Sequence, residues 1–184
     1  GYRRTSSMLS CVAIAGEGLS MERDYDGDSR TFAADLRSAQ DIGDTAARRT
    51  LARMNPRRPA TGAYPVLFDE RVASSLIGHL MAAANGAAVA RGASWLRDAL
   101  GEAVLPDALS LSEDPHRVRA AASRPFDAEG LPTRPRTVVE NGILKSYSLD
   151  LATARKLGMA STANAARGTG SAPSPSTWNL ALTQ

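Results

Sequence analysis

The alternation of apolar and polar positions in the first part of the chain predicts one strand, an uncertain element and a helix. The apolar run 8–15 ends at a pair of glycines and predicts a strand, with its sheet partners upstream. The charged stretch 21–30 predicts a second strand or a loop. Apolar positions recur at spacings of three and four in 38–55, which predicts a helix that Ser38 caps and Pro56 ends.

A short strand and a buried helix are predicted next. The apolar run 64–68 predicts the strand, and Asp69 is placed to cap the helix that follows it. This helix, 70–84, is apolar on nearly all sides, so we expect it to be buried. Asn85 and Gly86 are predicted to end it with a left-handed cap.

The pattern changes after residue 106, where short extended segments replace the helices. Residues 108–111 and 133–139 are predicted to be extended, and Glu140-Asn141-Gly142 is the strongest hairpin signal in the chain. A two-turn helix is predicted over 151–157, ended by Gly158. The Gly-, Ser- and Pro-rich tail 168–177 predicts a loop.

These elements predict an α+β fold. We expect residues 1–86 to be the end of an amino-terminal α/β region and residues 87–184 to be the start of a β-rich carboxy-terminal domain. No internal repeat is visible.

Composition narrows the class of protein. The 184 residues are 43% hydrophobic and 22% charged, which is typical of a globular domain. Cys11 is the single cysteine, which excludes an intramolecular disulfide framework and favours a reducing compartment. No apolar run approaches the length of a membrane span, so we expect a cytoplasmic protein without membrane contact.

Candidate metal ligands are few. The softer ligands are His79, His116 and Cys11, no two of which are close in sequence, and no HExxH pair is present. A zinc site is therefore not expected from spacing alone.

Three alternating aspartates resemble the start of a calcium loop. They are Asp24, Asp26 and Asp28, but Ser29 stands where such a loop needs glycine and Asp35 where it needs glutamate. The favoured interpretation is a polar strand whose aspartates share one face and pair with arginines such as Arg23 and Arg30.

Nucleophilic and phosphate-binding motifs are equally weak. There is no Gly-x-Ser-x-Gly elbow, and the Gly-Thr-Gly of 168–170 lacks a following helix and a lysine. The arginines form clusters without interleaved aromatic residues, so a solvated face is favoured over a nucleic-acid surface. The clusters are Arg48, Arg49, Arg53, Arg57 and Arg58, then Arg117, Arg119 and Arg124, then Arg134 and Arg136.

Seven short stretches, in order along nearly the whole chain, carry a resemblance to a known family. They are 21–26, 51–57, 64–68 with 72–76, 123–130, 140–142, 154–158, and 174–177 with Asn179 and Leu180. In these stretches the chain resembles the TldD/PmbA family, and within it the PmbA branch, also called TldE. Members of that family are longer, so the resemblance covers a middle piece.

The resemblance implies a zinc metallopeptidase built from a TldD and a TldE subunit, acting on peptides. The catalytic branch carries His-Glu-x-x-x-His on the helix before the pair seen here as Arg91 and Gly92. Counting back from that pair places Ile77, Gly78 and Ala82 at the two histidines and the glutamate. Neither an aliphatic side chain nor glycine offers a zinc ligand or a general base.

The predicted function is therefore that of a non-catalytic TldE/PmbA-type subunit. No residue is expected to be catalytic or to bind a cofactor or metal, and zinc is expected in a TldD-type partner that forms a heterodimer with it. Self-association through an open strand edge is a further expectation. The alternative is a regulatory protein that acts as a modulator of DNA gyrase.

Overall fold

The chain divides into two compact units. The computed structural model describes residues 2–184. One unit comprises the chain up to Val66 together with Arg119–Ala121, and the other comprises Leu67–Val118 and Ala122–Gln184. The division lies earlier than the expected boundary at residues 86–87. Both units combine helix with antiparallel sheet, so the predicted α+β class is confirmed.

The first unit is a long hairpin covered by one helix. β1 (Ser7–Ala15) pairs antiparallel with β2 (Glu22–Arg30), and α1 (Ala39–Ala52) packs against both strands. β1 thus pairs with the strand that follows it, and a further partner upstream stays a prediction. Of the two alternatives for the stretch 21–30, strand or loop, the structure shows the strand.

Helix α1 forms where the spacing predicted it. Ser38 Oγ accepts a hydrogen bond from the backbone N–H of Asp41 at 3.1 Å, which satisfies one of the first-turn donors. Ile42 and Ala46 are fully buried against the hairpin. The apolar stripe of this helix therefore forms the core of the first unit.

The second unit contains a four-stranded antiparallel sheet, three helices and a two-stranded ribbon. The strand order in the sheet is Ile143–Leu144, Arg136–Glu140, Ser110–Glu113 and Leu180–Thr183. The helices are α2 (Glu70–Ala83), α3 (Gly86–Ala90) and α4 (Leu151–Leu157), and the strands are β3 (Ser110–Glu113), β4 (Arg136–Glu140), β5 (Ile143–Leu144), β6 (Ala165–Ala166), β7 (Ser174–Pro175) and β8 (Leu180–Thr183).

The predicted β4–β5 hairpin is confirmed. Its two central residues, Asn141 and Gly142, have φ angles of 48° and 79°. A type I′ turn matches the twist of the flanking strands and requires a positive φ at both central residues. Asn-Gly is the most favoured pair for these positions.

One continuous core holds the second unit together. It joins the carboxy-terminal half of α2 to the sheet and to the segment before α4. The largest fully buried aliphatic side chains in it are Leu96, Leu111, Val138, Val139, Leu144 and Leu149. The last turns of α2 and the sheet therefore share one core.

The predicted strand at 64–68 is absent from the structure. This segment is irregular, and Leu67 is 98% exposed. Pro65 has no N–H to donate to a ladder, and no strand of the described chain pairs with the segment. Apolar composition alone was a misleading signal here.

Helix α2 begins at its predicted cap but is less buried than expected. Asp69 accepts a hydrogen bond from the N–H of Arg71 at 3.0 Å. Leu80 and Met81 lie in the core, whereas Val72 and Leu76 are each 50% exposed. Only the last turns of the helix are buried.

The predicted left-handed cap at Asn85 and Gly86 is also wrong. The helix ends at Ala84 with φ of −78°, and Asn85 instead caps α3 by accepting from the N–H of Ala87 at 2.9 Å. Gly86 is required for space, because a Cβ there would lie 2.9 Å from the carbonyl oxygen of Ser148.

The end of the chain mixes confirmed and missed elements. α4 has a capping box between Asp150 and Thr153 and ends at Gly158 with φ of 67°, as predicted. The segment 168–177 is not entirely loop, since β7 within it pairs with β6. Within residues 2–184, every helix is too short or too polar to cross a lipid bilayer.

Candidate functional site

The three positions that would carry a metal motif lie on α2. Ile77 packs against the core, whereas Gly78 and Ala82 face solvent. A Cβ built on Gly78 would meet no atom within 4 Å. Space for a larger side chain is therefore available at this position, and what the helix lacks is donor atoms.

The other candidate ligands do not converge. His79 is exposed on α2, Cys11 is half-buried in β1, and His116 lies in a loop with Nε2 3.1 Å from Thr133 Oγ1. Thr133 Oγ1 donates to the carbonyl of Arg124, so His116 Nε2 carries the proton in this contact. Across residues 2–184 no three His, Cys, Asp or Glu side chains are grouped to hold a metal ion. The donor set present does not fit a zinc ion.

The alternating aspartates form a charged ladder between β2 and α1. Asp24 and Asp26 are more than nine-tenths buried, and all three carboxylates are neutralised by arginines rather than left open for calcium. Arg23 is exposed and is not among these partners, contrary to the prediction. The pairs are Asp24–Arg53 at 3.0 Å, Asp26–Arg37 and Asp26–Arg49 at 2.7 Å each, and Asp28–Arg30 at 2.9 Å.

This ladder corrects the interpretation of α1. Arg49 and Arg53 were predicted to lie on its solvent face, yet both guanidinium groups reach back to β2. A long side chain can lie along the helix and place its charge over the sheet. These two members of the first arginine cluster are structural.

The surroundings of Asp26 lower the pKa of its carboxyl below the ordinary value of 3.8. Burial acts to raise this pKa, but it is outweighed by hydrogen bonds from Arg37 and the Gly27 amide and by the charges of Arg37 and Arg49. The pKa of Asp28 is lowered too, chiefly by the backbone N–H of Arg37 and the side chain of Arg30. Both groups therefore stabilise the first unit in their charged form.

Replacing Asp26 with asparagine is expected to weaken the acid sensitivity of folding. A carboxyl whose pKa is lowered in the folded state contributes stability above 3.8, and this contribution is lost as pH falls through the folded value. The variant should be less stable than wild type at about pH 7, and its free energy of unfolding should fall less between about pH 5 and pH 3. Urea titrations at each pH measure both quantities.

Asp98→Asn is the matched control, because that carboxyl is 91% exposed and 3.9 Å from its arginine. An unchanged acid slope in Asp26→Asn, or an equal loss of slope in Asp98→Asn, would contradict the assignment.

A buried charge with several hydrogen bonds in the second unit is Glu113, at the end of β3. Its carboxylate is 1% exposed and accepts from Arg136 Nε at 2.5 Å, the Trp178 amide at 2.5 Å and Asn164 Nδ2 at 3.1 Å. A buried carboxylate needs such compensation because its desolvation is costly. This Glu113 network joins two strands and two loops.

Arg136 is the cation of this network. It was predicted to belong to a solvated arginine cluster, but its side chain is only 13% exposed. Beyond Glu113, its guanidinium donates to Ser146 Oγ, the carbonyl of Tyr147 and Ser148 Oγ at 2.8 to 3.0 Å. The prediction of a solvated face is wrong for this residue.

The indole of Trp178, whose amide belongs to the Glu113 network, is buried and packs against an arginine. Trp178 is 5% exposed, and the Arg124 guanidinium stacks 3.6 Å from its ring centre. Trp178 Nε1 donates to the carbonyl of Ala163 at 3.2 Å. The loop carrying Ala163 and Asn164 is therefore held from two directions.

A cleft of about 460 Å³ opens beside the network. Arg136 lines it, together with Arg134 and the loop that precedes Asn164. No pattern in the sequence predicts this cleft, because its walls come from segments around residues 131–136, 146 and 161–163 that only the fold brings together. Its lining residues are Leu131, Pro132, Arg134, Pro135, Arg136, Ser146, Ser161, Thr162 and Ala163.

Comparison with known families gives two matches along the chain. Residues 1–54 match the PmbA/TldA metallopeptidase central domain, and residues 61–184 match the PmbA/TldA metallopeptidase C-terminal domain. Metalloprotease PmbA of Escherichia coli O157:H7 is 42% identical over 165 residues, which are 90% of this chain and 37% of that protein. The chain thus spans little more than a third of this relative.

The fold of this chain is also similar to that of solved structures. A candidate modulator of DNA gyrase from Bacteroides thetaiotaomicron superposes with a TM-score of 0.84 at 28% identity, over 96% of this chain and 38% of that one. TldE from Thermococcus kodakarensis gives a TM-score of 0.76 at 20% identity, over 96% and 40%. The second likeness shows the shared fold alone.

Proposed function

Because this chain belongs to the PmbA/TldD metallopeptidase family, we propose that it is part of a metal-free subunit of TldE/PmbA type within a zinc peptidase. A TldD-type partner supplies the hydrolytic zinc in this proposal, and the two subunits form a cytoplasmic heterodimer that acts on peptides.

A single observation supports the metal-free assignment most directly. Counting back from the Arg-Gly pair of 91–92, the positions where the resemblance implies the His-Glu-x-x-x-His of the catalytic branch are Ile77, Gly78 and Ala82. Two of them face solvent, with room around Gly78. A zinc site needs three or four nitrogen, sulfur or oxygen ligands on one cation. These three residues provide none.

Metal analysis and peptide cleavage test the proposal together. The protein is purified alone, the TldD-type protein alone, and the two as a mixture, and each sample is assayed for zinc and for hydrolysis of a mixed peptide pool. We expect less than about one-tenth of a zinc ion per chain in the first sample and chelator-sensitive cleavage in the mixture, given that catalysis requires a fixed metal.

Two outcomes would contradict it. One is a stoichiometric zinc ion in this protein alone, and the other is chelator-sensitive cleavage by this protein without a partner. Failure of the two proteins to co-purify would remove the heterodimer from the proposal and leave the metal-free assignment standing.

A regulatory role on DNA gyrase is the second candidate. It is favoured by the gyrase description given to the Bacteroides structure. Direct DNA contact is disfavoured because Arg30, Arg37, Arg49, Arg53 and Arg136 are paired with carboxylates of the same chain. Phosphate contacts would produce binding that weakens steeply with salt. Absence of binding to duplex DNA at low salt would leave only a protein-mediated effect on gyrase.

A further inference from the structure

The cleft beside the Glu113 network has an unusual balance of charge. All of its lining residues lie in the described part of the chain, and they include two arginines and no acidic side chain. Its volume of about 460 Å³ falls within the range of sites for small organic ligands. The cleft therefore favours an anionic group.

Arg136 lines this cleft, and its guanidinium is fixed by the protein. Four of the five N–H groups of its guanidinium are occupied, by Glu113, Ser146, Tyr147 and Ser148. The fifth, on Nη2, has no partner within residues 2–184. Because Glu113 balances the charge and the neighbouring hydroxyls fix the plane, this donor is held in position before any ligand arrives.

Arg134 supplies the uncompensated charge. It is exposed at the cleft, and within residues 2–184 it has neither an ion pair nor a hydrogen bond. Pro135 follows it and restricts its backbone to extended conformations. A carboxylate can accept from a guanidinium through two oxygens at once, which is the strongest common hydrogen-bonding arrangement for that group.

The hydroxyls that line the cleft can only accept further hydrogen bonds. Ser146 Oγ donates to the Tyr147 carbonyl at 3.1 Å, and Ser161 and Thr162 both donate to the Leu149 carbonyl, at 3.2 and 3.1 Å. Their hydrogens are thus directed into the protein. Each oxygen also accepts one bond, from Arg136 Nη1, the Ala163 amide and the Leu149 amide respectively, so one lone pair remains on each. A ligand that uses these oxygens must carry N–H or O–H donors of its own, and the amides of a peptide supply the former.

We propose that this cleft binds a small carboxylate that also carries N–H donors, with the free carboxyl terminus of a short peptide as its source. The carboxylate lies between Arg134 and the fifth donor of Arg136, and the amide N–H groups meet the hydroxyl oxygens. Leu131, Pro132 and Pro135 form the apolar wall for a side chain. The inference rests on this chemistry and not on the absence of zinc ligands from α2, which metal analysis tests separately.

Calorimetry with trialanine, its carboxy-terminal amide and sodium acetate tests the proposal on the intact protein. We expect saturable binding of trialanine, roughly tenfold weaker binding of the amide, and weaker binding of acetate, which lacks the N–H groups. Arg134→Gln should weaken trialanine binding by about tenfold and reduce its sensitivity to salt.

Arg155→Gln is the matched control, because Arg155 is an exposed arginine of the same unit outside the cleft. Equal affinity for trialanine and its amide, no saturable binding, or an equal loss in Arg155→Gln would overturn the proposal. Acetate binding as tightly as trialanine would overturn the peptide as the source, because it would show a simple anion subsite.

Discussion

Replacing Glu113 with glutamine lowers the free energy of unfolding by about 3–5 kcal/mol, the cost of leaving one member of a buried ion pair unpaired. The substitution keeps the shape of the side chain but removes the charge that balances Arg136, whose side chain is 13% exposed. It also places an amide opposite the donors of Asn164 and Trp178, which need an acceptor. A urea titration followed by tryptophan fluorescence measures the effect.

Glu140→Gln is the control for this prediction. Glu140 lies at the end of β4 and is 3.4 Å from Lys145, with the two side chains 57% and 47% exposed. Exposed pairs contribute about 0–1 kcal/mol, so the control should change stability little. Similar losses in the two variants would show that the Glu113 network contributes no more than an ordinary surface pair.

Replacing Gly142 with alanine lowers the free energy of unfolding by about 2–4 kcal/mol, from backbone strain and steric overlap together. Gly142 has φ of 79°, and an added Cβ would overlap the carbonyl oxygen of Leu105 and lie 3.0 Å from that of Pro106. Both neighbours are backbone atoms, and the carbonyl of Gly142 itself accepts from Val104 and Leu105. The hairpin therefore cannot move away without breaking these bonds.

Gly130→Ala separates strain from overlap. Gly130 has φ of 84°, but a Cβ there would meet no atom within 4 Å. It should cost only the strain of a left-handed residue, about 1–2 kcal/mol. Equal losses at the two positions, measured by urea titration, would contradict the packing argument and leave conformation as the sole cause.

The sequence predicted best those elements whose signals are local. The cap at Ser38, the Asn-Gly turn and the glycine that ends α4 each act within a few residues, and the structure confirms all three. The run 64–68 is apolar, as a buried strand would be, but it has no partner strand in the structure. Composition does not show whether a segment finds a partner to pair with. Local chemistry fixes turns and caps, whereas sheets depend on distant segments.

The Glu113 network illustrates why a candidate site is harder to predict. Its bonds from Glu113 to Arg136, Asn164 and Trp178 span 23, 51 and 65 residues. Nothing in the sequence near Glu113 distinguishes it from an exposed strand glutamate such as Glu140. The sequence does not show whether an arginine faces water or a buried carboxylate. For this reason the prediction of a solvated side chain is wrong for Arg136.

The bond to Glu113 makes the amide hydrogen of Trp178 slow to exchange with solvent. It is a backbone donor outside any regular ladder, yet it donates to a buried carboxylate of β3 that is paired with Arg136 of β4. To expose it, the segment must break this bond and also withdraw a tryptophan side chain that is 5% exposed. Isotope exchange at this single nitrogen in deuterated buffer therefore follows the opening of the whole second unit, although no helix or sheet includes it.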